Sequence, residues 1–264
     1  MSRIYYYHHT TSTNKIALSL GQSGAEEGVA VIAESQDAGR GRLGKTWQSP
    51  SGKGLYCSLI IRPRLAMEDY PKITLTVGLA VANVLEKVCG EKMYLKWPND
   101  VYAAGKKCCG ILTESSSLTE EENKRFAVVG IGINVNSILS DFPQELNDKV
   151  TSLKILTEKD YDVLDIFLQI RKTVMEMVRK LQQGQFPEIL TLWRKRDMLV
   201  GKWTQWLTNS GKVIFGHCEG PDDSGQLLVK DEAGKIHQVL SGDINLARQV
   251  AGRERENTKQ GLGF

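Results

Sequence analysis

The stretch Ala33-Glu34-Ser35-Gln36-Asp37-Ala38-Gly39-Arg40-Gly41-Arg42-Leu43-Gly44-Lys45-Thr46-Trp47 restricts the fold more than any other part of the chain. The apolar, β-branched run from Val29 to Ala33 leads into it and predicts a buried strand. Three glycines, two arginines and a lysine then fall within seven residues, more than an ordinary turn requires. Glycine lets a backbone pass close to a ligand and adopt positive φ. Arginine presents a rigid donor fork matched to carboxylate and phosphate oxygens. Such a loop is suited to closing over an anion; the alternative is a solvated basic hairpin with no ligand. The spacing Gly39-x-Gly41-x-x-Gly44 also matches a dinucleotide fingerprint, which needs a helix directly after the glycines. Here the chain continues as Trp47-Gln48-Ser49-Pro50-Ser51-Gly52-Lys53-Gly54, a loop, which argues against that fold.

The 264 residues suffice for one large domain, or a large and a small one. A net charge of +3 is too small for a general polyanion-binding surface, so the local charge around Arg40 is the informative one. No apolar run is long enough for a membrane span, and the tyrosine-rich N-terminus lacks a signal-peptide core. Cysteines 57, 89, 108, 109 and 218 are odd in number and form no Cys-x-x-Cys. Neither a disulfide framework nor a zinc site is indicated, and a reducing cytoplasm fits.

In chain order, Arg3 to His9 reads as a strand whose His8 and His9 point to opposite faces, which disfavours a metal pair. Thr11 to Asn14 supplies a helix cap before Ile16, Ala17 and Leu20. Leu55 to Ile61 is a strand, Asp69 to Val88 a helix, and Met93 to Trp97 a short strand. Val101 to Lys107 reads as a hairpin turn into the strand Cys108 to Glu114. Glu120 to Glu122 lies in a loop, and Phe126 to Val135 fits a central strand. One helix then carries Val163, Ile166, Phe167, Ile170, Val174, Val178 and Leu181, and a shorter one Ile189, Leu192 and Trp193. Irregular alternation predicts an α+β fold with a mixed, largely antiparallel sheet and flanking helices. From Met198, four short strands separated by turns predict a small all-β, SH3-like barrel. The expected division is a large domain over 1–197, the small one over 198–250, and a disordered tail over 251–264.

Two further constellations carry chemistry. Lys96-Trp97-Pro98-Asn99-Asp100 ends a strand at a rigid corner; Asn99 and Asp100 could meet a phosphate or an amine, or form an ordinary turn. Lys107, at the mouth of an apolar strand, is either a solvated edge residue or a point charge on an anion.

These stretches together resemble the ordered motifs of biotin protein ligases. The resemblance rests on Ser12-Thr13-Asn14, Gln36-x-x-Gly39-Arg40-Gly41-Arg42-x-Gly44-x-x-Trp47, Lys96-Trp97-Pro98-Asn99-Asp100, Lys107-x-x-Gly110-Ile111-Leu112-x-Glu114 and Gly130-Ile131-Gly132-Ile133-Asn134-x-Asn136. The segment after 198 is similar by position and strand pattern only. The resemblance implies ATP-dependent attachment of biotin to a lysine of a biotin carboxyl carrier protein or domain, through biotinyl-5′-AMP. It implies a biotin site at Ser12, Thr13, Asn14, Gln36, Gly39, Arg40, Arg42, Lys107 and Gly110. It implies an ATP site at Arg40, Arg42, Trp47, Lys96, Asn99, Lys107 and Asn134. Arg40, Arg42, Lys107 and Asp100 become the catalytic set, and Mg²⁺ is carried on the ATP phosphates rather than by a side-chain cluster. Lys45 stands where the family often has arginine. The helix-turn-helix domain of bifunctional members finds no counterpart, so no DNA partner is expected; a homodimer is left open. A lipoate ligase of the same fold and a non-catalytic biotin-binding module are the competing readings.

Overall fold

The computed structural model describes residues 2–116, 125–207, 213–239 and 244–246. Seven strands form the main sheet: β1 (Ile4–Tyr7), β2 (Ala30–Ala33), β3 (Gly54–Ile61), β4 (Tyr94–Lys96), β5 (Asp100–Ala103), β6 (Lys106–Ser115) and β7 (Ala127–Asn134). Their order is β1-β2-β3-β7-β6-β5-β4, so β7 is the central strand. Only β1 and β2 pair in parallel; every other neighbour is antiparallel. The mixed, largely antiparallel sheet is therefore borne out.

Period-two alternation decides which face each strand buries. Leu55, Cys57, Leu59 and Ile61 of β3, with Val129, Ile131 and Ile133 of β7, point into the principal core. That core lies under α2 (Tyr70–Cys89) and α4 (Val163–Gln182), with α5 (Phe186–Arg194) beside them. Gly90, at φ 78°, ends α2 in the left-handed conformation that costs glycine least. Asp162 caps α4 by accepting from the backbone N–H groups of Leu164 and Asp165. On the opposite face, α1 (Thr13–Gln22) covers β2, β3 and part of β7 through a second cluster of Ala17, Val31, Ile60, Phe126 and Val128. Gly21 lies inside this helix, because a β-carbon there would overlap the Phe126 ring. The helix leaves the β7-β6-β5 part of that face uncovered, and the basic loop folds over it.

Several expectations shift in detail. The first strand ends at Tyr7, so His8 and His9 lie in the bend after it, where His9 bonds Ser35 and Asp37. The expected turn over Val101 to Lys107 contracts to Ala104 and Gly105, both at positive φ, because Asp100–Ala103 is itself a strand. Leu192 is exposed on α5, one position off the buried Ile189–Trp193 stripe. Glu120 to Glu122, the turn at Asn209 to Gly211 and the tail from Gly252 lie outside the described residues.

The C-terminal part is a five-stranded antiparallel sheet, where the turn pattern predicted four strands. It comprises β8 (Trp203–Leu207), β9 (Val213–Pro221), β10 (Leu227–Lys230), β11 (Ile236–Val239) and β12 (Ile244–Leu246), in the order β11-β10-β9-β8-β12. Leu227, Val229 and Val239 join the principal core, and Trp97 Nε1 donates to Gly225 O at 3.0 Å across the junction. Among the described residues, no helix is long and apolar enough to cross a membrane.

Asp197 bridges to Leu95 where the two sheets meet. Its Oδ1 accepts from Leu199 N at 2.8 Å, while its buried Oδ2 has no hydrogen-bond partner among the described residues. Burial pushes this carboxyl from its ordinary 3.8 up to about 6. The folded state thus binds the proton more tightly than the unfolded state. Ionised Asp197 destabilises the fold above pH 6, and protonation relieves this as the pH falls from 6 towards 4. Asp197→Asn should therefore stabilise the protein at pH 7.5 by on the order of 1–3 kcal/mol, read from urea or thermal melts. The advantage should disappear near pH 4; a pH-independent difference would contradict the assignment.

Candidate active site

The uncovered part of the sheet floors a cavity of about 240 Å³. Glycines open it. Gly110 and Gly132 face each other across β6 and β7. A β-carbon on Gly132 would lie 2.5 Å from the Trp47 indole, and one on Gly110 would lie 2.9 Å from it and 3.3 Å from the Lys107 chain. The indole therefore rests on bare backbone, and Lys107 Nζ lies 5.4 Å from the centre of its ring. Buried Trp47 Nε1 finds no acceptor among the described residues, leaving a donor for a bound molecule.

The basic segment is a pinched hairpin, which agrees with the reading against a dinucleotide fold. Trp47 N donates to Gly39 O at 2.9 Å and Gly41 N to Lys45 O at 2.7 Å. Gly39 belongs to this neck rather than to the cavity lining; a β-carbon there would fall 2.3 Å from Trp47 O. Beyond the neck, Arg42 Nη1 donates to Asn99 Oδ1 at 3.3 Å, and Asn99 Nδ2 to Ile111 O at 2.7 Å. Lys107 Nζ is 2.7 Å from Asp100 Oδ1. Its backbone is held by a segment that belongs to no strand: Lys107 N donates to Lys149 O, and Thr151 N to Lys107 O, each at 2.9 Å. Asn134 secures that segment through Nδ2 to Thr151 O at 3.0 Å. Arg40, Arg42 and Lys107 thus line one cavity.

The other end of the cavity is polar and built on the α1 N-terminus. Ser12 flanks the helix without a capping bond; Thr13 N instead donates to Gln36 Oε1 at 2.9 Å. A residue of the loop root thereby satisfies one of the helix's unpaired N–H groups. Ser58 Oγ lies 2.8 Å from Thr13 Oγ1 and 2.6 Å from Asn14 Oδ1. Asn14 Nδ2 donates to Glu114 Oε2 at 2.9 Å, and Glu114 Oε1 is 3.0 Å from Arg40 Nη1. A β-carbon on Gly130 would lie 2.1 Å from Asn14 Oδ1, so this glycine makes room for the amide.

Of the residues singled out by sequence, Ser12, Thr13, Asn14, Gln36, Arg40, Arg42, Trp47, Asn99, Asp100, Lys107, Gly110 and Asn134 all line the cavity. Lys96 does not. It sits on the edge strand β4, one strand beyond Asp100, and its ammonium lies 5.8 Å from the Tyr102 ring centre. Sequence reasoning assigned no role to Ser58 or Glu114, nor to Phe142, Leu146 and Val150, which close one end. The stretch Val128-Val129-Gly130-Ile131-Gly132-Ile133 reads in the sequence only as a central strand, and its period-two glycines are the signal that could have marked the floor; nothing in the pattern of 142–150 could have marked the wall. Cys57 also lines the cavity, but burial pushes its thiol up to about 12, which leaves no thiolate nucleophile. Among the described residues, no three His, Cys, Asp or Glu side chains converge as a metal site.

Residues 6–134 match the model of the biotin/lipoate A/B protein ligase family. The chain is 36% identical over 243 residues to the bifunctional ligase/repressor BirA of Bacillus subtilis, spanning 92% of this chain and 74% of that protein. It is 30% identical to the biotin–[acetyl-CoA-carboxylase] ligase of Mycobacterium tuberculosis, over 89% of this chain and 85% of that one. The biotin protein ligase of Aquifex aeolicus, solved in complex with biotin and ATP, superposes with a TM-score of 0.80 at 32% identity, covering 94% of this chain and all of that one. The cation-lined cavity, the glycine floor and these likenesses together show that the chain belongs to the biotin/lipoate A/B protein ligase family, among the biotin protein ligases.

Proposed function

We propose that this protein uses ATP to attach biotin to a lysine of an acceptor protein. The observation that carries the reading is three cationic side chains, Arg40, Arg42 and Lys107, lining one cavity between a pinched loop and a glycine floor. In the first step a biotin carboxylate oxygen attacks the α-phosphorus of ATP, and the bond to pyrophosphate breaks. Two anions must meet, so preorganised cations offset both their repulsion and the charge that develops. In the second step the lysine amine attacks the acyl carbon of biotinyl-5′-AMP; an amide forms, AMP leaves and the amine loses a proton.

Ser12, Thr13 and Gln36, at the helix end of the cavity, take biotin. Trp47, Asn99 and Asn134 take the nucleotide. Asp100 holds Lys107 and lies where the incoming amine arrives. Mg²⁺ enters on the phosphates of ATP, which supply its oxygen ligands. The acceptor is the biotin carrier protein or domain of a carboxylase, and the reaction runs in the cytoplasm. The acyl adenylate is reactive towards water, so the loop over Trp47 serves as its cover.

The deciding assay follows pyrophosphate released from ATP and Mg²⁺ with and without biotin. Release that needs biotin, followed by transfer to a carrier domain, is the expected result. No biotin-dependent release, or equal turnover with lipoate, would sink the proposal. Lys107→Ala should lose about 2–4 kcal/mol of transition-state stabilisation in adenylate formation. Its folding should change little, because the ammonium end lies at the cavity, and unaltered pyrophosphate release would remove it from the site. Arg42→Gly loses its bond to Asn99 and frees the loop backbone. Adenylate should leave it ten- to several-hundred-fold faster, on the order expected at 1.4 kcal/mol per decade. Serum albumin incubated with that variant, biotin and ATP should become streptavidin-reactive; labelling no stronger than with wild type would rule out a retaining role.

A further inference from the structure

Glu114 places a carboxylate at the rim of a cavity lined with cations, where a site for two anions would best avoid one. Its position follows from register. On β6 it lies two and four residues beyond Leu112 and Gly110, so it shares their face, and it pairs with Val128 of β7. Two donors meet it. Arg40 Nη1 lies 3.0 Å from Oε1 and 3.3 Å from Oε2, and Asn14 Nδ2 lies 2.9 Å from Oε2. The Asn14 amide cannot turn round without loss. Its nitrogen faces Glu114 and the Leu112 carbonyl, both acceptors, while its oxygen accepts from Ser58 at 2.6 Å.

This carboxylate closes a hydrogen-bond circuit that starts and ends on the basic loop. From Arg40 it runs through Glu114, Asn14, Ser58 and Thr13 to Gln36 at the loop root, the last link being the Thr13 backbone N–H donating to Gln36 Oε1 at 2.9 Å. Gln36 Nε2 then donates to Ser49 Oγ at 2.9 Å, and Ser49 Oγ to Trp47 O at 3.3 Å. The middle, the root and the exit of the loop are thus referred to one fixed floor. The contact with Glu114 uses a single nitrogen of the guanidinium, Nη1, whose fork carries five donors. We propose that Glu114 is a positioning residue for the ligation reaction: it holds Arg40 at the cavity rim before the anionic substrates arrive, so that the guanidinium need not be ordered when they bind. This rests on the proposed function and adds to it a residue that acts through its neighbours, Arg40 above all, rather than by touching substrate.

Glu114→Gln tests the idea at constant shape. An amide offers one acceptor where the carboxylate offers two, so either Arg40 or Asn14 faces an N–H instead. Melting temperature, tryptic cleavage after Arg42 and Lys45 without substrate, and biotin-dependent pyrophosphate exchange are measured on wild type, Glu114→Gln, Arg40→Ala and the double variant. Glu114→Gln should melt close to wild type and yet be cleaved several-fold faster in the loop. Its KM for biotin or ATP should rise about tenfold, the equivalent of 1.4 kcal/mol, with kcat nearly unchanged. In the Arg40→Ala background the same change should add less than about twofold, because coupled residues are non-additive. Glu114→Asp keeps the charge but is one methylene short, so it should fall between the two; it also serves as the test if the glutamine variant fails to fold. Unchanged cleavage and KM, or effects that add fully to those of Arg40→Ala, would overturn the proposal. If wild type shows no biotin-dependent exchange, the proposed function fails, while the cleavage rates of the four proteins still decide whether Glu114 holds Arg40.

Discussion

The site depends on a strip of sheet without side chains. Gly110, Gly130 and Gly132 lie on the face that α1 covers only in part, and each has a neighbour where its β-carbon would be. Two are filled by the Trp47 indole and the third by the Asn14 amide. Dense packing makes such gaps specific, because a methylene of extra volume has nowhere to go. The loop can lie flat only because the floor was cleared for it, and Arg40, Arg42 and Lys107 come together only because the loop lies flat. Glycine in a strand interior weakens the strand by itself. Here those residues sit in the best-flanked part of the sheet, where β3 and β6 bond β7 from both sides.

Around that floor, charge is arranged in opposed pairs. Arg40 faces Glu114, Lys107 faces Asp100, and Arg42 leans on the neutral Asn99. Pairing lets cations stand in a partly enclosed cavity without the full cost of isolated charges. It also keeps them in place when no anion is bound. The main core contributes rigidity from the other side, since α2 and α4 press on alternate residues of the strands that carry the site.

Much of this was legible in the residues. The loop announced itself by glycine and arginine, and the central strand by its β-branched residues and alternating glycines. Short-range chemistry of that kind depends on neighbours in sequence, which pattern reading captures. Less legible were features set by distant partners. Lys96 carries the charge and spacing of a site residue, yet the edge position of β4 directs it to Tyr102. Glu114 stood in a recognisable motif without a role, because its partners Asn14 and Arg40 are 100 and 74 positions away. The backbone of residues 149–151 beside Lys107 belongs to no strand, so no periodicity could reveal it. The shortening of the hairpin turn at Ala104 and Gly105 was lost for a simpler reason: a run of small and charged residues hides where strand becomes turn.

The hairpin neck has a consequence for how such a loop can vary through descent. At the neck, geometry leaves no latitude: a side chain on Gly39 would collide with the backbone of Trp47, and Gln36 serves the helix as well as the loop. At the tip the surroundings are open. Leu43 is 62% exposed, and Gly44 has nothing within 4 Å of a notional β-carbon, although its φ of 73° still favours glycine there. Lineages can therefore exchange an exposed side chain at the tip, such as that of Leu43, without disturbing the hinge from which it hangs. The loop is two inheritances in one segment, a constrained stem that preserves the reaction and a permissive crown in which new preferences can be tried.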